Sequence, residues 1–494
     1  MYTFSSKLKT FSYILMLVGV LGIGYGFFAA PKTIQEVEAI LKEEESHHEG
    51  GHEAAAEHHD AKAESHHATT NHEEVATNTI DSTAVHAEAV SSVKDTITET
   101  TSINHEEHTS TNAGVNYDEA NEHLEHKEHV EHVFHQLQNK PWAALYVACI
   151  FFLLIAMGAL AFYAIQQVAQ AGWSPVLFRV MQGITSYLLP GSIIFFLLLL
   201  VSGFHFNHLF IWMDEKIRAT DEIIKGKSGY LNFPFWIIRA LLFLTVWNLY
   251  RYYSRKNCLA QDESNDNSFY KKNFKLSAAF LVFFIVSESI MAWDWIMSVD
   301  PHWFSTLFGW YVFASFFVSG ITTIQMVTIY LKSKGYLENV NSSHIHDLSK
   351  FMFGISVFWT YLWFSQFMLI WYANIPEEVT YFVTRINDYG ITFWGAVVMN
   401  FIFPILLLIN TDFKRIYWII VMAGIVILIG HYVDFFNMIM PATVGDRWFI
   451  GIPEISSLAF FLGLFIFVVF SALTKAPLVP KRNPFIEESK HFHY

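Results

Sequence analysis

The chain has 494 residues, 53% hydrophobic and 17% aromatic, with only 15% charged. A soluble domain carries about 25% charged residues, so a water-exposed globule is excluded; apolar runs without polar alternation also exclude a lipid-spanning barrel. The net charge of −14 is local: residues 31–140 hold 24 acids and 6 lysines (−18) and the remainder 21 acids and 25 bases (+4), which makes no case for a nucleic-acid partner.

In chain order, ten runs are long enough to cross a bilayer, near 12–30, 142–165, 186–209, 234–253, 274–296, 304–331, 351–373, 389–410, 416–436 and 455–473. The expected fold is all-α and polytopic. The first run is read as a retained helix rather than a signal peptide. It is long for a signal core, and Pro31 follows Ala29-Ala30, where cleavage would fall. The segment 31–140 is a low-complexity insert holding 16 of the 24 histidines. Most of it lacks the apolar area needed to fold. Its end, "HLEHKEHVEHVFH" from position 123, is expected to form a helix running into the second span. No metal site is assigned, because a disordered tract supplies neither fixed geometry nor supporting hydrogen bonds.

Lys and Arg number 18 on the side shared by the two termini and 7 in the short segments opposite, so both termini are expected to be cytoplasmic. Cys149 and Cys258 stand alone, and no CxxCH or CxxC occurs. Covalent haem and thiolate-held iron–sulfur clusters are therefore excluded from this chain.

Ionisable residues inside a membrane are costly and mark function or mutual pairing. Nearly all of them fall in the outer half by this topology. His205 and His208 sit three apart at the end of the third span, and Arg239 starts the fourth. Glu288 lies in the fifth span, with Asp294 beyond it; Asp300 and His302 occupy the next connection; His431 and Asp434 close the ninth. The residues leave two readings open. They form a proton path or polar pocket, or they satisfy one another, as Arg239 with Glu288 and His431 with Asp434. Asp300-Pro301 equally suits a cap for the sixth helix. Trp293, Trp295, Trp303, Trp310 and Tyr311 are expected as an interfacial belt. Pro190 and Pro404 are expected to kink spans three and eight.

The stretch "WDWIMSVDPHWFSTLFGWY" at 293–311 and the segment 132–192, opening "HVFHQLQNKPW", carry a family resemblance, as does the His-rich insert after the first span. They resemble the NrfD-like (polysulfide-reductase) membrane subunits, most closely the second of the two in bacterial alternative complex III. The resemblance implies two four-helix bundles with a peripheral helix at each end, divided as helix 1–30, insert 31–140, bundles 141–300 and 301–437, and last helix with tail 438–494. It implies a non-redox subunit of a menaquinol-oxidising complex in the bacterial inner membrane, with menaquinone or menaquinol as the only candidate ligand. The implied partners are lipid, a sister NrfD-like subunit, an iron–sulfur subunit, c-type haem subunits and a terminal oxidase. It puts a quinol pocket at the outer end of the first bundle, where His205, His208, Arg239, Glu288 and Asp294 fall, and favours the sister as the principal quinol site. The alternative is a metal- or proton-coupled transporter whose His-rich loop gathers cations.

Overall fold

The computed structural model describes residues 2–44 and 115–493. Residues 33–132 form one unit and 1–32 with 133–494 another. In the first, the described stretches 34–44 and 115–132 are helical. The middle of the His-rich insert lies outside the described residues. Its end is helical and continues without a break through Pro141 into the second span, as expected.

Among the described residues, ten helices are long and apolar enough to cross a bilayer. They are α1 (Ser6–Ala29), α2 (His129–Val168), α3 (Pro175–Gly203), α4 (Phe233–Glu263), α5 (Ser268–Val299), α6 (Phe308–Ser333), α7 (Ser342–Ala373), α8 (Gly390–Leu408), α9 (Tyr417–Val444) and α10 (Ile452–Leu473). Helix is the required answer in hydrocarbon, since it satisfies every backbone donor and acceptor within the segment. Helix α4 packs on α3 and α5, and the Tyr163 hydroxyl of α2 accepts from Gln182 of α3, Ser254 of α4 and Asn273 of α5, so α2–α5 form one four-helix bundle; α6–α9 form a second, while α1 packs along α10 at the periphery. The most apolar stretches of α2 and α6 are 94% and 89% buried against 17% for α1, which makes α2 and α6 the central pair.

Glycines set the seam between the bundles. Gly158 of α2 lies against the Phe316 carbonyl, and a Cβ at Gly320 of α6 would sit 2.6 Å from the Ala159 nitrogen. Only residues without a side chain let two backbones approach so closely. On the periphery, Gly19 and Gly26 accommodate Phe460 and Pro453 of α10.

One face of the molecule gathers both ends of the chain. Thr3 and Tyr336 hydroxyls lie 3.0 Å apart, Asn341 donates to the Phe492 carbonyl at 2.6 Å, and Ser489 donates to that of Trp173 at 2.6 Å. This is the terminal face; the opposite one is the far face. A short amphipathic helix, Pro376–Asn387, lies between α7 and α8 on the far face.

Each of the two prolines, Pro190 and Pro404, follows an irregular turn of its helix. Pro404 cannot donate to the carbonyl four residues before it, that of Asn400. Helix α8 answers with a π-helical turn over Val398–Ile402. In α3, a 3-10 turn at Thr185–Tyr187 precedes Pro190 and separates a wholly buried segment, Phe178–Ile184, from the partly exposed Leu188–Gly203.

Candidate functional site

At the far end of the first bundle, Arg239 of α4 and Asp294 of α5 form a buried bidentate pair. Nε donates to Oδ2 at 2.7 Å and Nη2 to Oδ1 at 2.8 Å. The guanidinium also donates to the Tyr230 carbonyl and stacks 4.1 and 4.2 Å from the Tyr230 and Phe235 rings. Trp236 and Ser298 donate to the Asp294 carbonyl, and the Tyr146 hydroxyl to that of Trp295. Charge, planar donors and stacking are all consumed locally. The expected Arg239–Glu288 pair is therefore corrected. Six residues separate Glu288 from Asp294, a rotation of about 240° along the helix, so the two carboxylates face different neighbours. Glu288 accepts from the Ser289 hydroxyl at 2.7 Å and leaves Oε2 buried without a protein partner.

His205 and His208 do not share a helical face. Helix α3 ends at Gly203, under the Phe233 ring, because Ser202-Gly203 is a weak helix former. His205 turns into the left-handed region at φ 61° and is exposed. The His208 ring meets that of His135 at 4.6 Å, and its backbone exchanges both hydrogen bonds with the Asn139 amide. Burial first, then His135, holds the His208 pKa below its ordinary value.

The connections carry their own pairs. His302 Nε2 lies 2.5 Å from Asp221 Oδ2, and Asp221 also accepts the Ile223 and Ile224 amides at a helix start. Lys227 donates to the Pro301 carbonyl. Asp300 does not cap the sixth helix. That helix begins at Phe308 behind Leu307, with no side-chain cap, because residues 301–307 intervene. Nor are the aromatics of this stretch mainly a belt. Trp295, Trp303 and Tyr311 are buried, Trp303 stacks on Tyr381 at 4.0 Å, and Trp310 is exposed. Trp295 packs on Phe195 and Trp247 inside the first bundle, and Tyr311 on Trp359 inside the second.

The second bundle holds a different kind of cluster. Asp434 of α9, wholly enclosed, accepts from the Tyr311 hydroxyl, from Ser315 Oγ at 2.9 Å and from Trp359 Nε1 at 2.9 Å. The Ser315 hydroxyl has one proton and gives it to Asp434. The contact of 2.9 Å between Ser315 Oγ and His431 Nδ1 therefore needs the proton on Nδ1. His431 then presents an acceptor at Nε2, buried with no protein partner. The expected His431–Asp434 association is present, at 3.7 Å and bridged by Ser315.

Three further residues, Arg385, Gln366 and Asn400, complete the site. Arg385, on the amphipathic helix, is buried; it donates to the Asn437 carbonyl at 3.0 Å and that of Tyr381 at 2.8 Å. With Tyr311, Gln366 and Asp434 it lines a void of about 10 Å³, the size of one water. Asn400, in the π turn of α8, occupies the space left by the missing side chain of Gly430, next to His431. Both its amide atoms are buried without protein partners. The signal for Asn400 was Pro404 four residues on, and for Arg385 the amphipathic pattern of 376–387.

From this cluster a column of hydroxyls descends α6 toward the terminal face. Ser319 donates to the Ser315 carbonyl at 2.7 Å and Thr323 to that of Ser319 at 2.8 Å; Gln325 donates to Ser349 Oγ at 2.6 Å. Along it Thr322 Oγ1, Gln325 Oε1 and Ser356 Oγ have no protein partner. Buried polar atoms of this kind hydrogen-bond to water.

The expectation that charge would avoid the terminal half also needs correction. Arg179 and Asp262 pair there at 2.7 Å, both buried, because α3 and α4 extend past their apolar runs. Arg179 reaches Gln182, which donates to the Tyr163 hydroxyl, as do Ser254 and Asn273. Glu454, at the start of α10, caps it by accepting the Gly451 amide at 2.9 Å. Among the described residues no group of three or more His, Cys, Asp or Glu is placed to hold a metal ion. No family model and no curated protein matches the chain.

Proposed function

We propose that the chain is a non-redox integral subunit of a menaquinol-oxidising complex of the alternative complex III type, in which the second bundle conducts protons. The termini lie in the cytoplasm in this reading, as the Lys/Arg bias indicates. One observation carries it: Asp434, Tyr311, Ser315 and His431 form a hydrogen-bonded unit, and buried hydroxyls line α6 and α7 below it, of which Thr322 Oγ1 and Ser356 Oγ have no protein partner and are left for water. Proton transfer needs titratable groups and hydroxyls in hydrogen-bond steps, with water where protein partners are missing. The first bundle supports a quinone pocket less well, since Arg239 and Asp294 spend their hydrogen bonds on each other. The implied partners are the sister NrfD-like subunit with its iron–sulfur and c-type haem subunits.

The test is purification from native membranes under mild detergent. Haem c absorbance and an iron–sulfur resonance should co-elute with the chain. Recovery of the chain alone and monodisperse refutes the assignment. A polar column of this length suits a proton-coupled transporter as well. Deleting residues 45–115 separates the two: metal uptake falls in a transporter with a cation-gathering loop, and quinol oxidation is unaffected in the respiratory subunit.

A further inference from the structure

A large cavity lies away from both sites, between α3 and α4 on the lipid side of the first bundle. Its volume is about 450 Å³, within the range of small-molecule sites. Its walls are mostly aliphatic and aromatic, with Ile193, Phe196 and Leu197 on α3 and Leu241 on α4. The break in α3 ahead of Pro190 shapes it: residues below the break are buried in the bundle, while those above turn their outer face to the groove.

Ser192, Thr245, Asn248 and Arg251 interrupt the apolar wall, and the charged one stands at the terminal end. Asn248 donates to Ser192 Oγ at 2.9 Å and to the Leu244 carbonyl. The Ser192 hydroxyl, an acceptor there, keeps its own proton for another group. Arg251 lies one turn further on. Its Nε is buried with no protein partner, and it forms no ion pair among the described residues. The next turn brings Arg255, which donates to the Gln182 and Ala472 carbonyls and is not neutralised by them. A guanidinium at membrane depth without an anion is costly, and positive charge gathers at this end of the groove alone.

We propose that the groove binds one anionic phospholipid from the leaflet on the terminal side. Its phosphate meets Arg251, an ester carbonyl accepts from Ser192, and an acyl chain lies along Ile193, Phe196, Leu197 and Leu241. A neutral quinone would fill the apolar wall and leave Arg251 without a counter-charge. A basic pocket between membrane helices beside an apolar slot is the general form of an anionic-lipid site. The site is independent of the proton path and of the complex proposed above.

Native mass spectrometry of the full chain in detergent tests it, with dioleoyl phosphatidylglycerol and dioleoyl phosphatidylcholine as probes. The wild type should retain phosphatidylglycerol about fivefold better, the factor expected for one basic residue near the surface. Arg251→Gln should reduce phosphatidylglycerol to the phosphatidylcholine level, while Lys481→Gln, on the same face but outside the groove, leaves it unchanged. Ile193→Trp fills the slot and should lower both lipids, and it carries the test alone if Arg251→Gln does not elute as a folded species. Equal retention of the two lipids by the wild type, an equal loss with Lys481→Gln, or unchanged binding in Ile193→Trp overturns the proposal. So does retention of an added menaquinone analogue in preference to phosphatidylglycerol.

Discussion

The two bundles each bury an aspartate near the far face, and they treat it in opposite ways. Asp294 meets a guanidinium in a bidentate pair, and the remaining donors of that guanidinium go to the Tyr230 carbonyl. Asp434 meets only neutral donors, from Tyr311, Ser315 and Trp359, and its neighbourhood retains unpartnered atoms on His431, Asn400 and Gln366. A buried acid neutralised by a fixed cation acts as a structural pin. One held by neutral donors, beside atoms that need water, can exchange its proton with a chain. In the reading proposed above, two residues with the same chemistry and similar depth thus divide between architecture and proton handling according to what faces them.

The largest effect should come from breaking the pin. Arg239→Ala leaves the Asp294 carboxylate enclosed without its cation. Removing one partner of a buried pair costs about 3–5 kcal/mol, so folded yield from membranes should collapse, as read by fluorescence-detected gel filtration. The double change Arg239→Met with Asp294→Leu should recover most of that yield. If the single variant is as stable as the wild type, Asp294 is no pin and the contrast between the bundles fails.

Asp434→Asn probes the other side of the comparison. Asparagine keeps an oxygen for the Ser315 and Trp359 donors, and its amide nitrogen can donate to the Tyr311 hydroxyl, which then accepts, so the folded yield should hold. Proton release by the reconstituted complex should drop about 10²-fold, the lower end for losing a positioned proton-transfer group. Intact proton release would make Asp434 a second structural acid.

Much of this organisation is legible in the sequence, and the reasons for the rest are physical. Apolar length marks all ten helices because lipid demands helices of that length. Sidechain partners do not follow from depth alone: Glu288 and Asp294 are both acids of α5, and only helical rotation decides which one meets Arg239. Helix ends inside an apolar run are equally hidden, which is why His205 and His208 were read as one face. Tyr311 and Ser315 look like belt and filler residues until α9 brings Asp434 across to them. Arg179 and Asp262 look like loop charges until α3 and α4 are seen to extend beyond their apolar runs.

Gly320→Ala acts on the seam between the bundles, apart from either site. The new methyl would lie 2.6 Å from the Ala159 nitrogen and 2.7 Å from the Gly158 carbonyl carbon, both backbone atoms that cannot swing aside. Overpacking of this kind costs about 1–3 kcal/mol. Thermal stability of the purified protein should fall accordingly, while proton release per folded molecule stays at the wild-type level. A selective loss of proton release would mean that the seam, and not the second bundle alone, sets the path.

The smallest effect belongs to the far-face connections, and it separates acid sensitivity of the loops from protonation inside the second bundle. Asp221 accepts the Ile224 and Ile223 amides and pairs with His302, and these contacts hold its carboxyl below the usual aspartate range. A carboxylate with a lowered pKa stabilises the fold fully above its ordinary value, about 3.9, and the contribution disappears as pH falls through the lowered one. Asp221 is largely solvated, so salt and water screen the pair and its worth stays under about 1 kcal/mol. Asp221→Asn should therefore leave stability at neutral pH nearly unchanged, because asparagine still accepts the two amides, and should flatten the stability loss below pH about 4. Melting temperature measured from pH 7 down to about 3 checks this. Proton release against pH should keep its wild-type profile in this variant, since the proton-transfer group proposed for that activity is Asp434; a shifted profile would instead place the connection 300–307 on the proton path.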